Sequence, residues 1–234
     1  NPKGRIIVTG LIKEFKGNIF FIISKDLSKD CVQWLSRYIL RSDVKISIEK
    51  NYIFGLNNEN QKQLFKDDGN QQQLNISPIS MDHSRCILLA DDEVSLKDKS
   101  IESINESEWI LSDITRGLPI LSKESSEKYI PQMINLDLLE GISFSKGCYT
   151  GQEVVARVQH RGKIKQRMFH ITTESNKCEI EHQSEIMHEN SKVGSLVNSI
   201  MNKNILHSLA VINIDDSEKK LILKGKTLNV NSLI

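Results

Sequence analysis

The stretch that decides the reading is Lys146–Arg157, KGCYTGQEVVAR, set inside Gly141–Arg167, GISFSKGCYTGQEVVARVQHRGKIKQR. Cys148 has Lys146-Gly147 before it and Tyr149-Thr150-Gly151 after it. Glycines so close on either side of a cysteine imply a tight, exposed loop. A neighbouring cation favours thiolate over thiol, and so does a helix N-terminus. Lys146 supplies the first, and a helix starting near Gln152 supplies the second. Thr150 with Glu153 three residues on reads as its capping box. Cys148 is therefore either a reactive thiol or a small residue packed in a loop. Downstream, residues 154–173 contain no Asp or Glu but hold Arg157, Arg161, Lys163, Lys165 and Arg167. This basic strip suits a phosphate, a polyglutamate or an RNA backbone. The alternative is a solvated face paired with the acids of 174–189.

Working outward, the flanks read as an α+β chain. Upstream, Arg5–Phe15 and Asn18–Ser24 read as a β-hairpin, rich in β-branched and aromatic residues. Residues 26–41 carry one apolar face at helical spacing and Ser28 as a cap. Val44–Glu49 (VKISIE) alternates as a strand does, residues 55–78 read as a polar loop, and Arg85–Ala90 (RCILLA) as a short buried strand. A helix is expected near Ile101–Trp109. Trp109 is either a stacking platform for a heterocycle or a core anchor. From Met168 onward short apolar runs recur at close spacing and predict a small antiparallel barrel or sandwich. Three parts are expected: an α+β lobe over 1–90, a helix and loop segment over 91–163 bearing the cysteine motif, and a barrel over 164–234.

Composition narrows the function. Lys plus Arg is 31 against 30 for Asp plus Glu, a net charge of +1. That excludes a strongly basic nucleic-acid coat and an acidic tail protein. No apolar run approaches a membrane span and no secretory signal opens the chain, so no membrane partner is expected. Cys31, Cys86, Cys148 and Cys178 are scattered without metal-ligand spacing, which predicts no metal site and fits a reducing, cytoplasmic setting.

KGCYTGQEVVAR resembles the signature of the YgfZ-type folate-binding proteins, relatives of the glycine-cleavage T-protein (aminomethyltransferase). Further matches are Asn1-Pro2-Lys3-Gly4-Arg5, Arg116-Gly117-Leu118-Pro119, Ile130-Pro131-Gln132 with Asn135-Leu136, Gly141-Ile142-Ser143-Phe144 and Arg161-Gly162. The resemblance implies a multi-domain, aminomethyltransferase-like fold ending in a small β-barrel. It implies a tetrahydrofolate or related folate as ligand, and iron–sulfur enzymes or cluster-assembly proteins as indirect partners. It also implies support of iron–sulfur cluster assembly or repair and, through that, of tRNA modification.

On that reading Cys148 and Lys146 carry the thiol chemistry. Trp109, Tyr149, Gln152 and Glu153 face the folate, and Arg157 and Arg161 face its glutamate or phosphate end. One cysteine cannot hold a cluster alone, so any cluster role is shared or indirect. Family members carry a segment ahead of the Asn-Pro-Lys-Gly element that is missing here, together with a second folate-binding tryptophan. Aminomethyltransferases also place an acidic pair where this chain has Val8-Thr9. A carboxylate is what one-carbon transfer would use as acid or base. An accessory protein is thus expected before an aminomethyl transferase, and the near-neutral charge places an RNA-binding module last.

Overall fold

The structure, a computed structural model, describes residues 1–15, 17–50, 52–57, 74–76, 85–90, 104–175 and 183–233. The chain divides into two compact units. One comprises Asn1–Thr9, Ser24–Leu27 and Leu111–Ile234; the other comprises Gly10–Ile23 and Ser28–Ile110.

In the second unit β1 (Gly10–Phe15) and β2 (Asn18–Ile23) form the expected antiparallel hairpin. It starts five residues later than the sequence predicts. Residues 5–9 belong to the other unit and bond elsewhere: Ile6 N–H donates to Tyr129 O (2.9 Å), and Glu127 N–H donates to Ile6 O (2.7 Å). Helix α1 covers Ser28–Ser36 rather than 26–41. Ser36 turns its hydroxyl back onto Val32 O (2.7 Å). The next residues tighten into i→i−3 turns, and Leu40 sits at φ 36°. Serine competing for backbone acceptors weakens a helix end in this way.

VKISIE forms no strand. Val44 and Ile48 stay more than half exposed, so the alternation faces no sheet among the described residues. The strand comes later as β3 (Tyr52–Asn57), whose second half runs into the stretch expected as a polar loop from residue 55. A second strand within 55–78 is β4 (Leu74–Ile76); most of that expected loop lies outside the described residues. Strand β5 (Arg85–Ala90) matches its prediction and lies at the centre of an antiparallel β3–β5–β4 sheet. Ile104 N–H donates to Gly55 O (2.8 Å) just before helix α2.

Helix α2 spans Glu106–Thr115, shifted toward the C-terminus from its expected position. Asn105 caps it, its side-chain oxygen accepting from Glu108 N–H (2.9 Å). At the far end Gly117 N–H donates to Ile114 O and Leu118 N–H to Asp113 O, the paired bonds that finish a helix on a left-handed glycine.

The other unit is built on seven strands: β6 (Gln166–Glu174), β7 (Glu185–His188), β8 (Ser191–Asn202), β9 (Ile205–Asn213), β10 (Ile222–Leu223), β11 (Lys226–Thr227) and β12 (Asn229–Asn231). The sheet order is β11-β10-β7-β8-β9-β6-β12 with antiparallel pairing throughout. The sheet curls until its ends nearly meet. The Thr173 hydroxyl on β6 donates to Thr227 O on β11 (2.9 Å), and Lys226 Nζ donates to Glu174 O (3.1 Å). Ile171, Ile186, Leu196, Leu206, Ala210, Ile212, Leu221 and Leu223 fill the interior. A bulge at Val197 between Leu196 and Asn198 lets Leu196 and Val197 both be buried. The expected α+β mixture of antiparallel sheets with a C-terminal barrel is therefore present, the barrel nearly closed.

His170 on β6 and His207 on β9 lie with their rings 13° from parallel and Nε2 and Nδ1 3.3 Å apart. Burial holds both below the ordinary histidine value of 6.5, and for His170 the His207 charge lowers it further. A lowered native value means the unfolded chain takes the proton first. Stability should thus be insensitive to these groups above pH 6.5 and fall as pH drops below it. In His207→Gln, chemical denaturation from pH 7 to 5 should show a shallower fall than in the wild type.

Candidate functional site

The cysteine motif sits on a loop whose two ends are fixed to one frame. Its upstream end follows a 3₁₀ turn at Pro131–Ile134. Asn135, at φ 59°, donates its amide to Met168 O (2.8 Å) at the start of β6. Gly141 N–H then donates to Leu136 O (2.7 Å). Its downstream end is helix α3 (Gln152–His160), which begins where the sequence predicts. The fully buried Gln132 donates to Val155 O (2.9 Å) and to Gln159 Oε1 (3.3 Å), so α3 is tied to the same turn.

Asp137 grips Arg167 through two bonds of 2.6 and 2.8 Å, and Arg167 also donates to Gln132 O (2.9 Å). The pair is largely buried, at 16% and 5% side-chain exposure, which makes removal of either partner costly. Arg167 is thus withdrawn from the basic strip. Arg157, Arg161, Lys163 and Lys165 remain exposed and form no ion pair among the described residues. Residues 176–182, part of the expected acidic partner stretch, lie outside the description.

Between these anchors Lys146, Gly147, Cys148 and Thr150 are exposed, and Tyr149 is 48% exposed. Partial burial raises the Tyr149 phenol, keeping it a protonated donor. Among the described residues Cys148 is an exposed free thiol, in contrast to the buried Cys31. Thr150 is not the N-cap that the expected Thr150/Glu153 capping box requires. Gly151 is the N-cap, left-handed at φ 88°, and Gln152 closes the turn by accepting from Tyr149 N–H (3.1 Å) while its own N–H donates to Tyr149 O (3.2 Å). Glu153 points to solvent.

The reason for glycine at 151 lies in the opening residues. Asn1 Oδ1 accepts from Lys3 N–H and Arg5 N–H (both 3.0 Å), folding Asn1–Arg5 into a tight turn. That turn presses against α3. A Cβ on Gly151 would lie 2.2 Å from Asn1 O and 2.7 Å from Gly4 N, and one on Gly4 would meet Val154 at 3.0 Å. Gln132, Asn135 and Asp137, which hold this frame, carry no catalytic pattern. Gln132 and Asn135 are marked in the sequence only by the Ile130–Leu136 element, and nothing in the sequence marks Asp137.

Val8 and Thr9 hold no acid here. The Thr9 hydroxyl donates to Pro119 O (2.9 Å) and accepts from Leu121 N–H (3.1 Å), so it serves the backbone. In the second unit Trp109 is half-buried. A Cβ on Gly55 would collide with its ring at 2.3 Å, and the Arg85 guanidinium lies 4.2 Å from the ring centroid while donating to Trp109 O (3.2 Å). Among the described residues no three of His, Cys, Asp and Glu gather as a metal set, and no helix is long and apolar enough to cross a membrane.

No family model matches the chain. The tRNA-modifying protein YgfZ of Buchnera aphidicola is 33% identical over 215 residues, covering 84% of this chain and 63% of that protein. The protein of the same description in Hamiltonella defensa is 30% identical, covering 74% and 56%. An uncharacterised protein of Haemophilus influenzae is 31% identical over 95% of the chain and 77% of its own length. The chain belongs to the YgfZ family. It spans somewhat under two thirds of the length of the YgfZ proteins it matches here.

In this YgfZ-family chain the Gly151→Ala substitution should cost about 2–4 kcal/mol, summing left-handed strain and overpacking. Glu153→Ala should change stability little. Urea unfolding of the two variants measures the difference.

Proposed function

We propose that this chain is a tetrahydrofolate-binding accessory protein that supports iron–sulfur cluster assembly or repair and thereby tRNA modification. The observation that carries the reading is the exposed Cys148 thiol beside Lys146, on a loop anchored at both ends. Its relatives are described as tRNA-modifying proteins, which supports a tRNA-modification role for this chain. The nearly closed C-terminal barrel agrees with an aminomethyltransferase-like fold, which we take as the wider architecture. The free thiols Cys31 and Cys148 suit a reducing cytoplasmic compartment.

Cys148 is the nucleophilic or sulfur-handling group in this proposal, and Lys146 its charge partner. Tyr149 and Gln152 shape the loop. Trp109 offers a ring edge or face to the pterin. Aminomethyl transfer is disfavoured because Thr9 stands at the expected acidic position with its hydroxyl already engaged. A second reading rests on exposed Arg157, Arg161, Lys163 and Lys165. They would contact an RNA backbone, and such binding would weaken steeply with rising salt.

Titration with tetrahydrofolate, followed by tryptophan fluorescence, tests the folate proposal. Saturable quenching is expected, lost in Trp109→Phe. Trp109→Ala should weaken binding by about 1–3 kcal/mol if the ring stacks as aromatics stack on bases. Absence of saturable binding, or unchanged affinity in Trp109→Ala, would contradict it.

A further inference from the structure

A cavity of about 210 Å³ opens beside the start of β8, away from the cysteine motif in sequence. Arg5, Lys128 and Lys192 line it, and no carboxylate does. Val193 and Val211 also line it. Arg5 is aimed by the tight turn that precedes it. Asn1 Oδ1 holds its N–H, and one guanidinium nitrogen donates to Lys128 O. That leaves the rest of the guanidinium fork without an acceptor among the described residues. Lys128 has no carboxylate partner among them either. Lys192 pairs with Glu185 at 2.7 Å, but both side chains are more than half exposed, and such a pair binds weakly.

The wall is equally fixed. Tyr129, 5% exposed, exchanges bonds with Gln183 (2.9 and 3.2 Å) and lies 3.2 Å from Ser195 Oγ. A chamber of this size with three cations, one of them a preset guanidinium fork, is matched by a compact dianion. We infer that this cavity binds a terminal phosphoryl group. A carboxylate would neutralise one charge of three; a terminal phosphate carries nearly two and offers three acceptor oxygens to the fork and the lysines.

The test uses pyrophosphate with the full chain in low-salt buffer, followed by calorimetry. One saturable site is expected. Lys128→Gln and Arg5→Gln should each weaken it about tenfold or more, as expected for loss of a charge-assisted bond. Lys192→Gln should weaken it less, because that lysine is shared with Glu185. Lys128 is exposed, so its variant should keep the wild-type unfolding midpoint and read binding alone. A 5′-phosphorylated oligoribonucleotide should displace pyrophosphate, whereas the same oligonucleotide with a 5′-hydroxyl should not. Failure of pyrophosphate to bind saturably would overturn the inference, as would unchanged affinity in Lys128→Gln. Equal competition by the 5′-hydroxyl form would overturn it too, since backbone phosphates would then suffice.

Discussion

The backbones of Gly4 and Gly151 meet with no space for a side chain between them, and the cysteine loop depends on that approach. The turn at Asn1–Arg5 can reach the N-terminus of α3 only because neither residue carries a Cβ. Gly151 in turn adopts the left-handed conformation that lets the chain enter the helix. The same turn orients Arg5 toward its cavity. Two features far apart in sequence therefore share one packing contact, and a single methyl group at 151 would disturb both.

Around that contact the frame is polar, and all but one of its buried side-chain groups are paired: Gln132 Nε2 is bonded, while its Oε1 has no partner among the described residues. Gln132, Asn135, Asp137 and Arg167 join the 3₁₀ turn, α3 and β6 through bonds that are largely shielded from water. Buried polar links fix geometry because the alternative is an unpaired group in a low-dielectric interior. The loop between these anchors makes the opposite use of its residues. It leaves Lys146, Cys148 and much of Tyr149 in solvent, where packing gives no reason for a thiol. A rigid base with an exposed tip is how folds commonly present functional side chains.

The sequence was legible where a local rule had no competitor. RCILLA became the central strand of its sheet, and QEVVARVQH became α3 at the predicted start. The apolar runs after Met168 became barrel strands because alternation there faces a common interior. Legibility failed where tertiary partners decided. Residues 5–9 read as the first arm of the hairpin, yet Ile6 and Ile7 bond to residues 126–129 and Thr9 bonds to Pro119 and Leu121. VKISIE alternates yet pairs with no strand among the described residues, while Tyr52–Asn57 found one in β5. At the site, the helix start was readable but its cap was not. Thr150 and Glu153 fit a capping box, but the requirement for glycine at 151 comes from Asn1 and Gly4, which no local window contains. The basic strip was likewise readable as charge, while the removal of Arg167 by Asp137 needed the fold.

The account places the protein's chemistry on the Cys148 thiol. The most direct measurement is complementation of cells lacking their YgfZ protein, reading the tRNA modification lost in those cells, with wild-type protein and Cys148→Ala expressed to equal levels. Because Cys148 is exposed, the variant should fold with an unchanged unfolding midpoint. The account predicts restored tRNA modification by the wild type and none by the variant. Wild-type restoration by Cys148→Ala would contradict it and leave the loop without a chemical role for its thiol.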